Sequence, residues 1–213
     1  MKDAVKKAAR GAMLPIGRAL RAVGLTANGV TLLGVLFSLP AAWGFAEGRN
    51  SVAFGFLLAS GLCDMLDGAV ARAGGGGGTK FGAAFDSTLD RYGEGVVFGG
   101  IVFGLVSRGA ADWLVWVALL AGVASFLTSY VRARAEGLGI ACEVGVLERP
   151  ERVVLLLVLA LWGDGGAIWI LSALALLAHI TFIQRLAHVW KATQGKPLVE
   201  APGSGEAGRR ARG

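Results

Sequence analysis

The sequence is poor in charged residues and in cysteine. Charged residues make up 17% of the 213-residue chain and hydrophobic residues 54%, whereas a soluble domain is usually about 25% charged. This balance excludes a disordered chain and argues against an ordinary cytosolic enzyme. The two cysteines, Cys63 and Cys142, match no zinc-site spacing. A disulfide-rich secreted scaffold is therefore excluded as well, and we expect both cysteines to pack as small apolar residues.

The hydrophobic residues fall in blocks of about 20 residues, the length that a helix needs to cross the hydrocarbon core of a bilayer. We therefore predict an all-α fold, a polytopic membrane protein with six transmembrane helices. Their predicted limits are 29–47, 51–72, 86–107, 111–134, 150–164 and 167–190.

A basic segment precedes the first span. Within residues 1–23, apolar residues recur at helical spacing among Lys and Arg residues. This pattern predicts an amphipathic helix at the membrane interface, the alternative being a solvated basic helix. The six spans and their loops would form one domain, residues 24–192. Residues 193–213 are rich in Gly, Ala and Arg without apolar periodicity, which predicts a disordered cytoplasmic tail.

Positive charge is distributed unevenly along the chain. A net charge of +6 is compatible with binding either nucleic acid or an anionic membrane surface. The high hydropathy of the chain favours the membrane. If both termini lie on one side, only Arg49 and Arg108 of the 21 Lys and Arg residues lie on the other. The positive-inside rule then predicts a multi-pass protein of the cell membrane with cytoplasmic termini.

Four aspartates lie where a lipid-facing helix would not carry them. Asp64 and Asp67 end the second span and Asp86 and Asp90 open the third, each pair on one helix face. A short loop between antiparallel helices would bring the two pairs together. Ionisable groups at membrane depth are costly and mark functional sites. Oxygen ligands without Cys or His favour Mg²⁺, Mn²⁺ or Ca²⁺, and four carboxylates suffice for two ions that act in displacement at phosphorus.

The residues between the two pairs fit a phosphate-containing ligand. Gly68 and Ala71 leave room for a ligand to approach the backbone, and Arg72 offers a planar fork for phosphate. The alternative is a set of structural aspartates paired with Arg72 and Arg91. Four acids against two bases would leave buried charge uncompensated, so we favour the metal site.

The stretch from Asp64 to Asp90 resembles the signature of the CDP-alcohol phosphotransferases, membrane enzymes with six transmembrane helices. That signature, D-x2-D-G-x2-A-R-x8/9-G-x3-D-x3-D, is met at every fixed position. The resemblance implies CDP-diacylglycerol as donor, two divalent cations (Mg²⁺ or Mn²⁺) held by the four aspartates, and a homodimer. It makes Asp90 the base for the attacking alcohol. It also implies a set of donor-binding residues: Asn28, Thr31, Asp64, Gly68, Ala71, Arg72 and Gly82.

Arginines at the predicted cytoplasmic ends of the later spans indicate an anionic acceptor. Guanidinium groups beside a metal site favour a phosphate, although the positive-inside rule alone would also place arginines there. The segments 129–136 and 148–152 resemble the actinobacterial phosphatidylinositol phosphate synthases. This resemblance implies inositol 1-phosphate as acceptor. The acceptor residues would be Ser129, Arg132, Arg149, Pro150, Arg152 and Arg185.

Three other functions stay open. The same donor with glycerol 3-phosphate would give phosphatidylglycerophosphate. An intramembrane prenyltransferase also holds pyrophosphate through aspartates and metal, but with a different aspartate pattern. A divalent-cation transporter would leave Gly68 and Arg72 unexplained.

Two small-residue steps in the third span predict close helix packing. Gly95 and Gly99 form one step, and Gly100 and Gly104 form the other. Glycines at this spacing let two helices approach closely. The partner helix would belong either to the same chain or to a second copy in a dimer.

Overall fold

A computed structural model describes residues 13–75 and 78–194. Within these ranges the chain is helical and contains no β-strand, which confirms the all-α class. The helices are α1 (13–22), α2 (Ala27–Ala46), α3 (Asn50–Ala73), α4 (Lys80–Ser107), α5 (Asp112–Gly137), α6 (Arg149–Trp162) and α7 (Asp164–Thr193). The first part of the predicted basic segment, residues 1–12, and all but the first two residues of the predicted disordered tail lie outside the described residues.

Four helices are long and apolar enough to cross a membrane, namely α2, α3, α5 and α7. The other two predicted spans differ from these four. Helix α4 has 28 residues but carries Asp90, Arg91 and Glu94 near its middle, and α6 has only 14 residues. The structure thus shows an all-helical chain with four candidate spans among the described residues. The six-span arrangement stays a prediction.

Glycines let α2 and α4 pack with their backbones close together. A Cβ atom added to Gly100 or Gly104 would meet the backbone of α2. A Cβ added to Gly95 or Gly99 would enter open space. The step formed by Gly100 and Gly104 therefore packs within the chain, whereas Gly95 and Gly99 line an open cavity between α4 and α5.

Helices α6 and α7 are joined by a single residue, Gly163. Its φ of +66° lies in the region that glycine adopts readily and other residues do not. The sharp turn brings α7 back against α6, and α7 also packs along α5. The two helices that carry the later arginines are therefore held in one bundle.

The apolar core and the buried charges lie toward opposite ends of this bundle. The helices alternate in direction, so the first turns of α2, α4 and α6 share one end with the last turns of α3, α5 and α7. The buried charged side chains of the described residues, Asp67, Arg152 and Arg185, all come from this end. Because buried charge needs partners, this end is where a polar site is expected.

Helix α1 packs on α3 beside that polar end. A Cβ on Gly17 would lie 2.6 Å from the carbonyl of Ala69, so the absence of a side chain at Gly17 lets the two backbones meet. Ile16 and Val23 of the same segment are exposed. The contact fixes α1 against the helix that carries Asp64 and Asp67, while the interfacial location of α1 stays a prediction.

Candidate active site

The predicted carboxylates meet where the end of α3 lies beside the start of α4. Asp64, Asp67 and Asp86 each offer one carboxylate oxygen, and these oxygens lie within 4.8 Å of one another. Asp67 is only 7% exposed, and its Oδ2 accepts a hydrogen bond of 2.8 Å from Thr31 Oγ1. Three carboxylates this close repel each other unless a cation lies between them. The trio could therefore hold a divalent metal ion.

One atom of this trio supports that assignment directly. Asp86 Oδ1 is buried and has no hydrogen-bond partner among the described residues. A buried oxygen without a partner is unfavourable, because it has lost its hydration without replacement. A metal ion would satisfy this oxygen, so the residues present fit a divalent cation.

Asp90 follows one helical turn after Asp86 and lies outside the trio. Its Oδ2 is 2.6 Å from Arg149 Nη1, and its side chain is 12% exposed. Arg149 also forms an ion pair with Asp64. The contact from Arg91 to Asp90 is longer, at 3.9 Å. Arg149, which sequence reasoning assigned to the acceptor, is thus the cation closest to the aspartates.

A cavity of about 460 Å³ lies beside Asp67 and Asp86. Five predicted donor residues line it: Asn28, Thr31, Gly68, Ala71 and Gly82. Asp64 does not line it and instead faces a neighbouring pocket together with Asp90 and Arg149. Arg72 is also absent from its lining. The donor set of the sequence analysis is thus brought together except at these two positions.

The same cavity contains residues that the sequence analysis did not assign, namely Arg21, Thr26 and Thr79. Thr26 and Thr79 precede α2 and α4, and their hydroxyl oxygens accept from Gly29 N at 3.1 Å and Gly82 N at 2.9 Å. A threonine just before a helix is a recognisable capping signal. Arg21 comes from α1, and the basic segment alone did not indicate that it reaches a cavity.

A second cavity, of about 490 Å³, contains all six predicted acceptor residues: Ser129, Arg132, Arg149, Pro150, Arg152 and Arg185. Ala83 lines both cavities. Arg149 lines the second cavity and reaches Asp64 and Asp90. The two cavities therefore adjoin at the aspartates, which places an anion-binding wall beside the candidate metal site.

The arginines of the second cavity are held by different partners. Arg132 Nε donates to Glu136 Oε1 at 2.9 Å along α5. Arg185 is buried, and its Nε and Nη1 donate to the carbonyl oxygens of Val144 and Thr128, each at 2.8 Å. Neutral carbonyl groups leave the charge of Arg185 uncompensated by those contacts, so it can still attract an anion.

Arg152 has a charged partner that sequence reasoning missed. Its Nε and Nη2 donate to the carboxylate of Glu94 at 2.8 and 3.3 Å, and Nη2 also donates to Ser129 Oγ at 2.9 Å. Glu94 follows Asp86 and Asp90 at the same four-residue interval on α4. That interval is the signal that could have identified it.

Comparisons with known proteins agree with this geometry. A family model described as CDP-alcohol phosphatidyltransferase matches residues 24–190. The archaetidylinositol phosphate synthase of Methanothermobacter thermautotrophicus is 41% identical, over 79% of this chain and 85% of the relative. The phosphatidylinositol phosphate synthase of Mycobacterium tuberculosis is 36% identical, over 90% of this chain and 92% of the relative.

Solved structures of the Mycobacterium tuberculosis enzyme are similar to the whole bundle. The crystal structure with CDP-DAG bound has a TM-score of 0.77 at 36% identity, covering 89% of this chain and 97% of that one. The crystal structure with manganese and citrate also has a TM-score of 0.77 at 36% identity, over 89% of this chain and 92% of that one. The family match spans most of the chain, and both relatives exceed 30% identity over more than two thirds of their length. The chain therefore belongs to the CDP-alcohol phosphatidyltransferase family.

Proposed function

We propose that this protein transfers the phosphatidyl group of CDP-diacylglycerol to inositol 1-phosphate, giving phosphatidylinositol phosphate and CMP. The observation that carries the proposal is the juxtaposition of the two cavities at the aspartates. One cavity contains five of the seven predicted donor residues, and the other contains the four predicted acceptor arginines together with Arg91. Both relatives are named for a product that contains inositol phosphate, and the two products differ in their lipid part. The shared part of the names supports inositol phosphate as the acceptor.

The aspartates would hold two divalent cations, Mg²⁺ or Mn²⁺. Asp64, Asp67 and Asp86 supply the converging oxygens, and Asp90 lies one turn away as a further ligand. Bound there, the cations would neutralise the donor pyrophosphate and the departing CMP. The manganese-bound structure of the Mycobacterium tuberculosis relative supports this cofactor.

The residues of this chain then position the two substrates. The CDP part of the donor is enclosed by Asn28, Thr31, Gly68, Ala71 and Gly82. The proposed donor site also includes Asp64 and Arg72. The acceptor phosphate is held by Ser129, Arg132, Arg149, Pro150, Arg152 and Arg185. Arginine forks bind phosphate oxygens in pairs, which fixes the orientation of the acceptor as well as its position.

Asp90 is the proposed base. A carboxylate oxygen of Asp90 accepts the proton from the acceptor hydroxyl, whose oxygen forms a bond to the lipid-side phosphorus of the donor. The phosphoanhydride bond to CMP breaks in the same displacement. Arg149, at 2.6 Å, lines the acceptor cavity and keeps the Asp90 carboxylate fixed beside it.

The proposed setting is the cell membrane. Helices α4 and α6 would join the four candidate spans to give six, with both termini and the site on the cytoplasmic side and α1 at the interface. Residues 24–192 would form the enzyme domain, in a homodimer. Cysteine labelling from either side of sealed vesicles would test the orientation, and light scattering in detergent would test the dimer.

An acceptor assay tests the reaction. Purified protein is supplied with CDP-diacylglycerol, Mg²⁺ and either inositol 1-phosphate, free inositol or glycerol 3-phosphate, and the lipid product is identified by mass spectrometry. We expect product with inositol 1-phosphate and little with the other two. The variant Arg132→Gln should raise the KM for inositol 1-phosphate, while Arg134→Gln, a change in the same turn of α5 outside the cavity, should not. Product from glycerol 3-phosphate alone would overturn the proposed acceptor.

A further inference from the structure

The ion pair between Arg152 and Glu94 lies at the meeting point of three helices. Arg152 belongs to α6, Glu94 to α4 and Ser129 to α5. Arg152 is 1% exposed, and its guanidinium donates to both Glu94 oxygens and to Ser129 Oγ. A single carboxylate therefore sets Arg152 in place, and Arg152 in turn holds the hydroxyl of Ser129.

Glu94 does not belong to the wall of the acceptor cavity. Arg152 and Ser129 line that cavity and Glu94 does not. Glu94 instead faces the pocket that contains Asp64, Asp67 and Asp90. A ligand in the acceptor cavity would contact the arginine and the serine but not Glu94. Apart from the through-space repulsion between its charge and an anion, any effect of Glu94 on acceptor binding must then act through the residues that it holds.

The Glu94 pair is the second of two ion pairs between the same two helices. Asp90 and Glu94 are one turn apart on α4, and Arg149 and Arg152 are one turn apart on α6. Asp90 pairs with Arg149 at 2.6 Å and Glu94 pairs with Arg152 at 2.8 Å. Helix α4 also carries Asp86 of the candidate metal trio. The two pairs thus tie two of the four acceptor arginines to the helix that supplies Asp86 and Asp90.

We propose that Glu94 is a positioning residue for the acceptor. It holds Arg152, and through Arg152 also Ser129, at a fixed place relative to the aspartates. The acceptor then binds by its phosphate with its hydroxyl directed at the reacting phosphorus. This inference rests on the proposed function, because it requires an acceptor that carries a phosphate.

The direction in which acceptor binding changes on removal of the Glu94 charge distinguishes a positioning role from a role in which Glu94 only neutralises Arg152. Glu94 brings a negative charge close to an anion-binding wall, so removing that charge without moving Arg152 would strengthen the attraction for an anion. If Glu94 holds Arg152 in place, its removal weakens acceptor binding despite the added positive charge. The isosteric change Glu94→Gln removes the charge and one of the two acceptor oxygens.

Kinetics of the Glu94 variants test the proposal in detergent with Mg²⁺. We expect Glu94→Gln to raise the KM for inositol 1-phosphate by about 10-fold, with the KM for CDP-diacylglycerol changed by less than about 2-fold. Glu94→Asp keeps the charge and should recover part of the loss. The matched control is Asp164→Asn, which breaks another arginine–carboxylate pair, at 3.0 Å to Arg108 near the opposite end. It should leave both KM values unchanged.

Binding of inorganic phosphate, measured by calorimetry on the same proteins, gives a readout that does not depend on turnover. We expect weaker binding to Glu94→Gln than to the wild type and to Asp164→Asn. An acceptor KM that falls or stays constant in Glu94→Gln would overturn the proposal, as would an equal rise of both KM values. If Glu94→Gln does not fold, Glu94→Asp carries the test, since a shorter side chain should still raise the acceptor KM selectively.

The outcome is separable from that of the proposed function. If the wild type uses glycerol 3-phosphate instead of inositol 1-phosphate, the proposed acceptor is wrong. The comparison of KM values for the acceptor and the donor can then be repeated with glycerol 3-phosphate. The role of Glu94 fails only if the selective change is missing for the phosphorylated acceptor that the wild type uses.

Discussion

Thr31 on α2 donates a hydrogen bond from Oγ1 to Asp67 Oδ2 across 2.8 Å. This contact connects the first long helix to the candidate metal trio and leaves the other oxygen of Asp67 free of that bond. Partners that orient a metal-binding carboxylate commonly change metal affinity by about 10- to 100-fold when they are removed. Thr31 is thus expected to contribute to metal binding as well as to the wall of the donor cavity.

Replacing Thr31 with valine should weaken metal binding. Thr31→Val keeps the shape and removes the hydroxyl, so we expect the Kd for Mn²⁺ without donor to rise about 10-fold. Electron paramagnetic resonance of free Mn²⁺ measures this directly. Thr31→Ser, which keeps the hydroxyl, should bind nearly as the wild type does. Wild-type affinity in Thr31→Val would show that the contact does not orient Asp67.

Asp90→Asn should separate chemistry from donor binding. The amide keeps the size of the side chain but accepts a proton poorly, and a lost general base costs about 10²- to 10⁴-fold in kcat. We expect turnover to fall by that amount while CDP binding, followed by calorimetry, stays within about 3-fold. Asp112→Asn, an exposed change at the other end of the bundle, serves as control. Equal losses of turnover and CDP binding would remove the role of Asp90 as base.

Arg21 gives a prediction for the donor cavity. It lines that cavity from α1, where a guanidinium can attract the phosphates of the donor. Arg21→Gln should raise the KM for CDP-diacylglycerol several-fold and leave the KM for inositol 1-phosphate unchanged. Arg18→Gln alters an exposed cation of the same helix outside the cavity. If Arg18→Gln has the same effect, the charge of α1 acts through the membrane surface and not through the cavity.

The two glycine steps of α4 give a stability prediction. A Cβ on Gly100 would meet the backbone carbonyl of Ala42, whereas one on Gly99 would meet nothing within 4 Å. Overpacking typically costs about 1–3 kcal/mol, and alanine favours a helix over glycine by up to about 1 kcal/mol. Thermal unfolding in detergent should show Gly100→Ala destabilised and Gly99→Ala unchanged or stabilised. Equal stability of the two variants would contradict the close packing of α2 and α4.

The aspartate trio could be predicted from sequence because helical geometry fixes it. Asp64 and Asp67 are three residues apart and Asp86 follows a short loop, so two antiparallel helices bring them together almost regardless of the remaining fold. Arg149 could not be placed in the same way. Its ion pairs with Asp64 and Asp90 depend on how α6 packs against distant parts of the chain, and no local pattern records that.

Although the four-residue interval on α4 could have identified Glu94, its pairing with Arg152 was likewise beyond sequence reasoning. The positive-inside rule already explains arginines at helix ends, so the pattern alone did not show that Arg152 is buried against Glu94. Predicting which helices span the membrane was difficult for a related reason. Helix α4 combines a predicted span with three charged residues of the site region, and hydropathy alone does not separate these two roles.

The central claim is that the aspartates and the adjoining cavities carry out a metal-dependent displacement at phosphorus. The most direct measurement is the release of CMP together with the lipid product from purified protein in liposomes of defined composition, supplied with CDP-diacylglycerol and inositol 1-phosphate. With Mg²⁺ or Mn²⁺ present, CMP and phosphatidylinositol phosphate should form in equal amounts, and chelation of the metal should stop both. Passage of divalent cations across these liposomes without any release of CMP would contradict the account.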